Sequence, residues 1–207
     1  MTCNPSHVAP LTGDDPRLEE PALRDLVEFV GYRPNALLTM AKLPNLLQAV
    51  LGMVQATLRQ DGELSVAARF LMACEASRMS GCYYSTVHAV HAAHHAGVPW
   101  EKLAALPQHA ESPLFDEAER TALAIASAAG CVPVVSMASE FERARVWFSE
   151  RQVLEIVAAA SLFGWFNRWN GLMRSELEPA PAQALEHVRW LAMLAPASAS
   201  IPGRQND

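Results

Sequence analysis

The chain has 207 residues, 51% hydrophobic, 18% charged and 7% aromatic, with 16 basic against 22 acidic side chains and a formal charge of −6. That length suits one domain able to bury roughly 70% of its unfolded surface, and the apolar content excludes a chain disordered throughout. Neither a glycine period nor a sustained heptad is present, which excludes a collagen-like or coiled-coil rod, and the acidic balance gives no footprint for nucleic acid.

Residues 1–15 are polar, carry Pro5, Pro10 and Gly13, and predict a flexible N-terminal arm. Leu18 to Val30 reads as a short helix. Pro44-Asn45 opens a helix to about Gln60, in which Leu46, Leu47, Val50, Leu51, Val54 and Leu58 recur at helical intervals before Asp61-Gly62 ends it. Ser65 is the expected N-cap of a helix to Met79, stopped by Ser80-Gly81. The next helix runs from near Cys82 to Gly97, with Pro99 beyond it. Trp100 to Leu106 follows, then Leu114 to Ala129, where Asp116, Glu117 and Glu119 complement the helix dipole. A helix at Glu140 to Trp147 precedes a long apolar one, capped by Ser149 and passing through Val153, Ile156, Leu162, Phe166 and Leu172. Ala182 to Met193 reads as the last helix, and 196–207 as a flexible tail. No composition shift marks a linker. The fold class expected is all-α, a single-domain helical bundle over 16–195.

Four cysteines in a chain this long do not make a disulfide framework, so reduced thiols are expected. No basic stretch leading into an apolar one opens the sequence, and the apolar run from Val153 to Phe166 is interrupted by Glu155 and too short for a span. A cytoplasmic protein without membrane contact is the expectation. With no phosphate loop, nucleotide fingerprint or Ser-His-Asp elbow in the sequence, no cofactor is expected.

Chemistry concentrates between Ser80 and Gly97, which hold Cys82 and four of the seven histidines. Cys82 falls at the start of a helix, where free N–H groups and the macrodipole favour a thiolate. Ser85 lies one turn on, on the same side. The helix terminus and the Ser85 hydroxyl together predict a thiol pKa below the ordinary value of about 8.5. The competing reading is a buried cysteine packing as a small hydrophobe. His88 projects about 60° from Ser85 and about 120° from Cys82, within reach of the hydroxyl but poorly placed for the sulfur. His88, His91 and His95 share one arc, but a third ligand two turns away points past an ion, so the expectation is a polar face and no metal. Cys74 and Glu75 on the preceding helix are weaker candidates. Glu155 with Asn167-Arg168 suggests a buried polar pair or an intersubunit contact. Trp147, Trp165, Trp169 and Trp190 suggest core or interface.

The run Gly81-Cys82-x-Tyr84, preceded by a helix and followed by Gly97-Val98, resembles the core of the alkylhydroperoxidase D-like and carboxymuconolactone decarboxylase family. Gln152 to Val157, Leu162 to Arg168 and the entry Gly31-Tyr32-Arg33-Pro34-Asn35 extend the resemblance, the last toward the family's peroxidase-related branch. It spans roughly Val27 to Glu178. The family core reads Cys-x-x-Cys-x-x-x-His. Here the second cysteine position is Ser85, the histidine position is Ala89 with His88 one residue before it, and the proton-relay glutamate falls at Phe70. A CxxC disulfide cannot form.

The resemblance therefore implies a single-thiol peroxidase with Cys82, Ser85 and His88 as catalytic residues. The Cys82 thiolate attacks a hydroperoxide, becomes a sulfenic acid and is recycled by an external thiol reductant. The alternatives are a cofactor-independent decarboxylase, lactonase or isomerase acting on a small organic acid through His88, or a non-catalytic oligomeric binding protein. The apolar helix from Val153 to Leu172 and the habits of the family both imply a homo-oligomer.

Overall fold

Proline, glycine and capping side chains divide the chain into helices joined by short turns. The computed structural model describes residues 6–59, 61–135 and 137–196, and among them no strand occurs. After a 3-10 turn at Pro16–Glu19, α1 spans Pro21–Val30, α2 Asn35–Met40 and α3 Pro44–Val54, which a π-helical turn continues over Gln55–Arg59. Next come α4 at Val66–Met79, α5 at Tyr83–His95 and α6 at Trp100–Ala104. They are followed by α7 at Glu117–Ala129, α8 at Ala138–Trp147 and α9 at Glu150–Met173. Single turns at Pro179–Ala182, Ala184–His187 and Leu191–Leu194 close the described chain.

The chemistry of the helix ends explains these boundaries. Ser65 Oγ accepts the Ala68 N–H at 3.1 Å, while Asp116/Glu119 and Ser149/Gln152 form reciprocal capping boxes on α7 and α9. Each such cap is worth about 1 kcal/mol. The expected helix from Leu18 to Val30 is split because Pro21, lacking an N–H, starts a new helix at its first position. The expected helix from Ala182 to Met193 is broken at Val188, whose φ of −119° and ψ of 84° are not helical. There the buried side chains of Ala184, Val188 and Leu191, with Trp190 Nε1 donating to the Leu103 carbonyl at 3.1 Å, bend the segment onto the bundle. Packing overrides helix propensity in that segment.

At the centre lies α4, which packs on α5, α7 and α9 and is buried without interruption from Arg69 to Ser77. A helix buried all round is covered on every side by neighbours. Small residues permit the close approach: Ala73, Ala76, Ala89 and Ala93 are fully buried. Gly130 carries the same logic at the end of α7. A Cβ there would lie 2.5 Å from the Ala76 carbonyl oxygen, and Ser80 Oγ donates to the Gly130 carbonyl at 2.9 Å. Gly81, at φ +66°, reverses the chain between α4 and α5 while the Cys82 N–H returns to the Ser77 carbonyl at 3.2 Å. That turn puts Cys82 at the N-cap of α5.

Near the N-terminus, Ser6 Oγ donates to the Arg174 carbonyl, the His7 N–H to that of Met173 and the Leu11 N–H to that of Leu38. The first five residues of the expected arm, and the expected tail from 197 on, lie outside the described residues. Among the described residues, no helix is long and apolar enough to cross a membrane.

Candidate active site

An apolar cavity opens between α1, α3, α4, α5 and α9. Its walls include Leu26, Val54, Phe70, Phe163 and Phe166, and two polar clusters border it.

The first cluster holds the sulfur. Cys82 Sγ lies 3.2 Å from Ser85 Oγ, to which Asn170 Nδ2 donates at 3.0 Å from α9. Ser175 Oγ donates to Asn170 Oδ1 at 2.9 Å, which fixes the amide so that its NH2 faces Ser85. Once the thiol ionises, the Ser85 O–H, itself receiving the Asn170 N–H, is free to donate to Sγ. Ser85 and Asn170 line the cavity, whereas Cys82 is linked to it through its contact with the Ser85 hydroxyl. Burial pushes the Cys82 thiol above its ordinary value; hydrogen bonds at Ser85 act against the rise without cancelling it. This corrects the expectation of a depressed thiol pKa, because desolvation outweighs the hydrogen bonds at Ser85.

The second cluster is an acid–base chain. Glu178 Oε2 lies 2.7 Å from His88 Nε2, and His88 Nδ1 lies 2.8 Å from the Tyr32 hydroxyl. Glu178 Oε1 accepts from the Tyr84 hydroxyl at 2.7 Å and from the Asn35 N–H. Burial drives the Glu178 carboxyl upward, but the facing His88 and these hydrogen bonds outweigh it and hold Glu178 below the usual carboxylate range. The carboxylate is therefore an anion that accepts from three donors, and His88 Nε2 carries a proton toward it. Asn35 Nδ2, donating to the Glu176 carbonyl at 3.0 Å, anchors the segment that delivers Glu178. Tyr84 stacks on His88 with ring centres 4.0 Å apart.

Of the residues expected from sequence, the structure sets Cys82 and Ser85 together and places His88 at the same cavity, though in the other cluster. Both ring nitrogens of His88 are engaged away from Ser85. His91 Nε2 faces the Val30 carbonyl at 3.3 Å and His95 meets Phe29 edge-on, so the three imidazoles diverge. Among the described residues, no set of three His, Cys, Asp or Glu side chains could hold a metal ion. Cys74 is fully buried, and Glu75 is committed to a bidentate pair with Arg78 and a bond from Ser127. Glu155 and Asn167 do not pair: twelve residues along α9 separate them by about 18 Å. Glu155 instead accepts the Glu63 and Leu64 N–H groups at 3.0 and 2.8 Å.

Sequence reasoning missed Glu178, Asn170 and the role of Tyr32. Glu178 is 90 positions from His88, and no local spacing announces that contact.

The carboxymuconolactone decarboxylase family model matches residues 44–128, which contain α3 to α6 and most of α7. No curated protein matches the chain by sequence. Among solved structures, a Cys→Ala variant of the debrominase Bmp8 in complex with 2,3,4-tribromopyrrole is 30% identical, with a TM-score of 0.82 over 89% of this chain and 98% of that one. The apo form of Bmp8 is similar at 31% identity and a TM-score of 0.81, with the same coverage of both chains. An uncharacterized peroxidase-related protein from Ralstonia eutropha JMP134, described as an alkylhydroperoxidase AhpD core, shares the fold at 19% identity and a TM-score of 0.69, over 84% of this chain and 94% of that one. With the family match and 30–31% identity to Bmp8 over nearly the whole of that chain in agreement, the chain belongs to the carboxymuconolactone decarboxylase family, and it shares the alkylhydroperoxidase D-like helical fold.

Proposed function

We propose that the protein is a single-thiol redox enzyme that removes halogen from a small halogenated aromatic ring. The observation that carries this reading is that the Ser85–Asn170 pair contacting Cys82 Sγ and the acid–base chain of Tyr32 and His88 border the same apolar, phenylalanine-walled cavity. Peroxide reduction uses a thiol but has no need of an apolar cavity walled by aromatic rings. Isomerisation or decarboxylation uses His88 and Glu178 but has no need of a thiol. Reductive dehalogenation employs both, and 30% identity to a debrominase supports the assignment.

In the reaction, the Cys82 thiolate attacks the halogen. The carbon–halogen electron pair stays on carbon, which takes a proton from the acid–base chain, while sulfur is oxidised to a sulfenyl halide. A first external thiol displaces halide and forms a mixed disulfide; a second releases the disulfide and restores Cys82. Two thiols are oxidised for each halide freed. Ser85 and Asn170 stabilise the thiolate, and the apolar wall keeps water from the intermediate.

Ion chromatography of bromide released from a brominated pyrrole, with dithiothreitol as reductant, tests the proposal. Release that vanishes in Cys82→Ser supports it, and equal release by both proteins contradicts it. Hydroperoxide reduction is the second reading, favoured by the Ser85 contact that serves a thiolate whichever electrophile it meets. Thiol-dependent peroxide consumption without bromide release would select it.

A further inference from the structure

We infer that Tyr32 is the acid that hands the proton to the ring carbon, a step resting on the dehalogenation reading. Among the described residues that line the cavity, bonding leaves no other polar group able to do it. Tyr84 is fully committed: its oxygen accepts the Ala36 N–H at 3.2 Å and its proton goes to Glu178 Oε1 at 2.7 Å. Asn170 is bonded at both ends of its amide, and Ser85 serves the sulfur. His88 has Glu178 on Nε2 and Tyr32 on Nδ1, so neither nitrogen points freely into the cavity. Tyr32 borders the cavity and carries a single side-chain hydrogen bond, to His88 Nδ1, so its proton is free for the cavity whenever that bond is donated by the imidazole.

The tautomer follows from Glu178. Oε1 takes two donors and Oε2 faces Nε2, so Nε2 bears hydrogen in either charge state of His88. In the neutral ring Nδ1 is bare and accepts the Tyr32 O–H. In the imidazolium, Nδ1–H donates to the Tyr32 oxygen and frees the phenol proton for the cavity. Transfer is then concerted: the Tyr32 proton bonds to the ring carbon as the His88 Nδ1 proton moves to the Tyr32 oxygen. His88 ends neutral with Nε2–H intact, and solvent returns the proton. The phenol ring is held for this by edge contacts to His88 and His91, at 5.3 and 5.5 Å between centres. Burial, aided by the Glu178 charge, raises the Tyr32 pKa and keeps the resting group a neutral phenol.

Deuterium exchange at the ring C–H of 2,3,4-tribromopyrrole, followed by proton NMR in D2O without reductant, isolates this step from halogen transfer. Wild type should accelerate exchange, and Tyr32→Phe should slow it about 100-fold or more, the scale of a lost general acid. Probe affinity and thermal midpoint of the variant are measured alongside. Replacing Tyr32 with 3-fluorotyrosine, a more acidic phenol, should move the pH profile of exchange downward. Equal exchange in wild type and Tyr32→Phe, an unmoved profile, or no exchange in wild type would each overturn the inference. Tyr32-dependent exchange without any bromide release sustains it and removes the dehalogenation reading instead.

Discussion

Glu178 and His88 meet at 2.7 Å across 90 positions of sequence, joining the segment after α9 to the middle of α5. The family's proton-relay glutamate position is occupied here by Phe70, a cavity wall. The carboxylate of the acid–base chain comes instead from the segment after α9, where it engages His88 rather than the sulfur. The Ser85–Asn170 pair that contacts Cys82 and the acid–base chain are separate devices on one cavity, which suits chemistry with two distinct centres on the substrate.

Acid should weaken the fold through Glu178. Its folded-state carboxyl lies below the ordinary value of about 4.3, so its stabilisation is complete above that value and is lost as pH falls toward the depressed one. Glu178→Gln should remove this part of the acid limb and cost about 1–3 kcal/mol at neutral pH, by loosening bonds to His88, Tyr84 and Asn35. Urea unfolding of both proteins between pH 3 and 7 checks it, and parallel curves would count against the assignment.

Cys82 should alkylate with a midpoint above the ordinary thiol value of about 8.5, since burial raises it. Ser85→Ala should move the midpoint higher. Asn170→Asp should do the same, because a carboxylate cannot donate to Ser85. Iodoacetamide rates against pH, read by peptide mass spectrometry, decide this. Cys74, fully buried, should stay unmodified in the native protein.

Gly130→Ala should destabilise the bundle by about 1–3 kcal/mol, because the new Cβ would meet the Ala76 carbonyl at 2.5 Å and Met79 Cβ at 2.6 Å. Both neighbours belong to the central helix, so relief requires α7 and α4 to part. A thermal midpoint equal to that of wild type would show that the contact yields easily.

Along α9, Leu154, Trp165 and Leu172 fall on one stripe, and Leu154 and Leu172 are 64% and 77% exposed. We propose that a second copy covers this stripe. Light scattering at micromolar concentration should then give a mass above that of one chain, reduced by Leu172→Glu. A monomeric wild type would contradict it.

The helices were legible because their signals are local: Ser65 and Ser149 cap where hydrogen-bond chemistry says they must, and Gly81 and Gly97 turn the chain at positive φ. The last segment was misread because Val188 and Trp190 answer to the core rather than to helix propensity. Within the site, the pairing of Cys82 with Ser85 was legible from one-turn spacing. The bonds of His88 were not, since its partners come from the turn after α1 and the segment after α9. The thiol pKa was misjudged for a related reason: a helix terminus is visible in sequence, whereas the desolvation that opposes it depends on what packs around it.

The most direct test of the account follows the halogen. Mixing the enzyme with a brominated pyrrole in the absence of reductant, and adding dimedone as the trap, should give one dimedone adduct on Cys82 for each bromide released, because the dimedone carbanion attacks the sulfenyl sulfur and expels bromide as the thioether forms. Bromide released while Cys82 stays an unmodified thiol would contradict it.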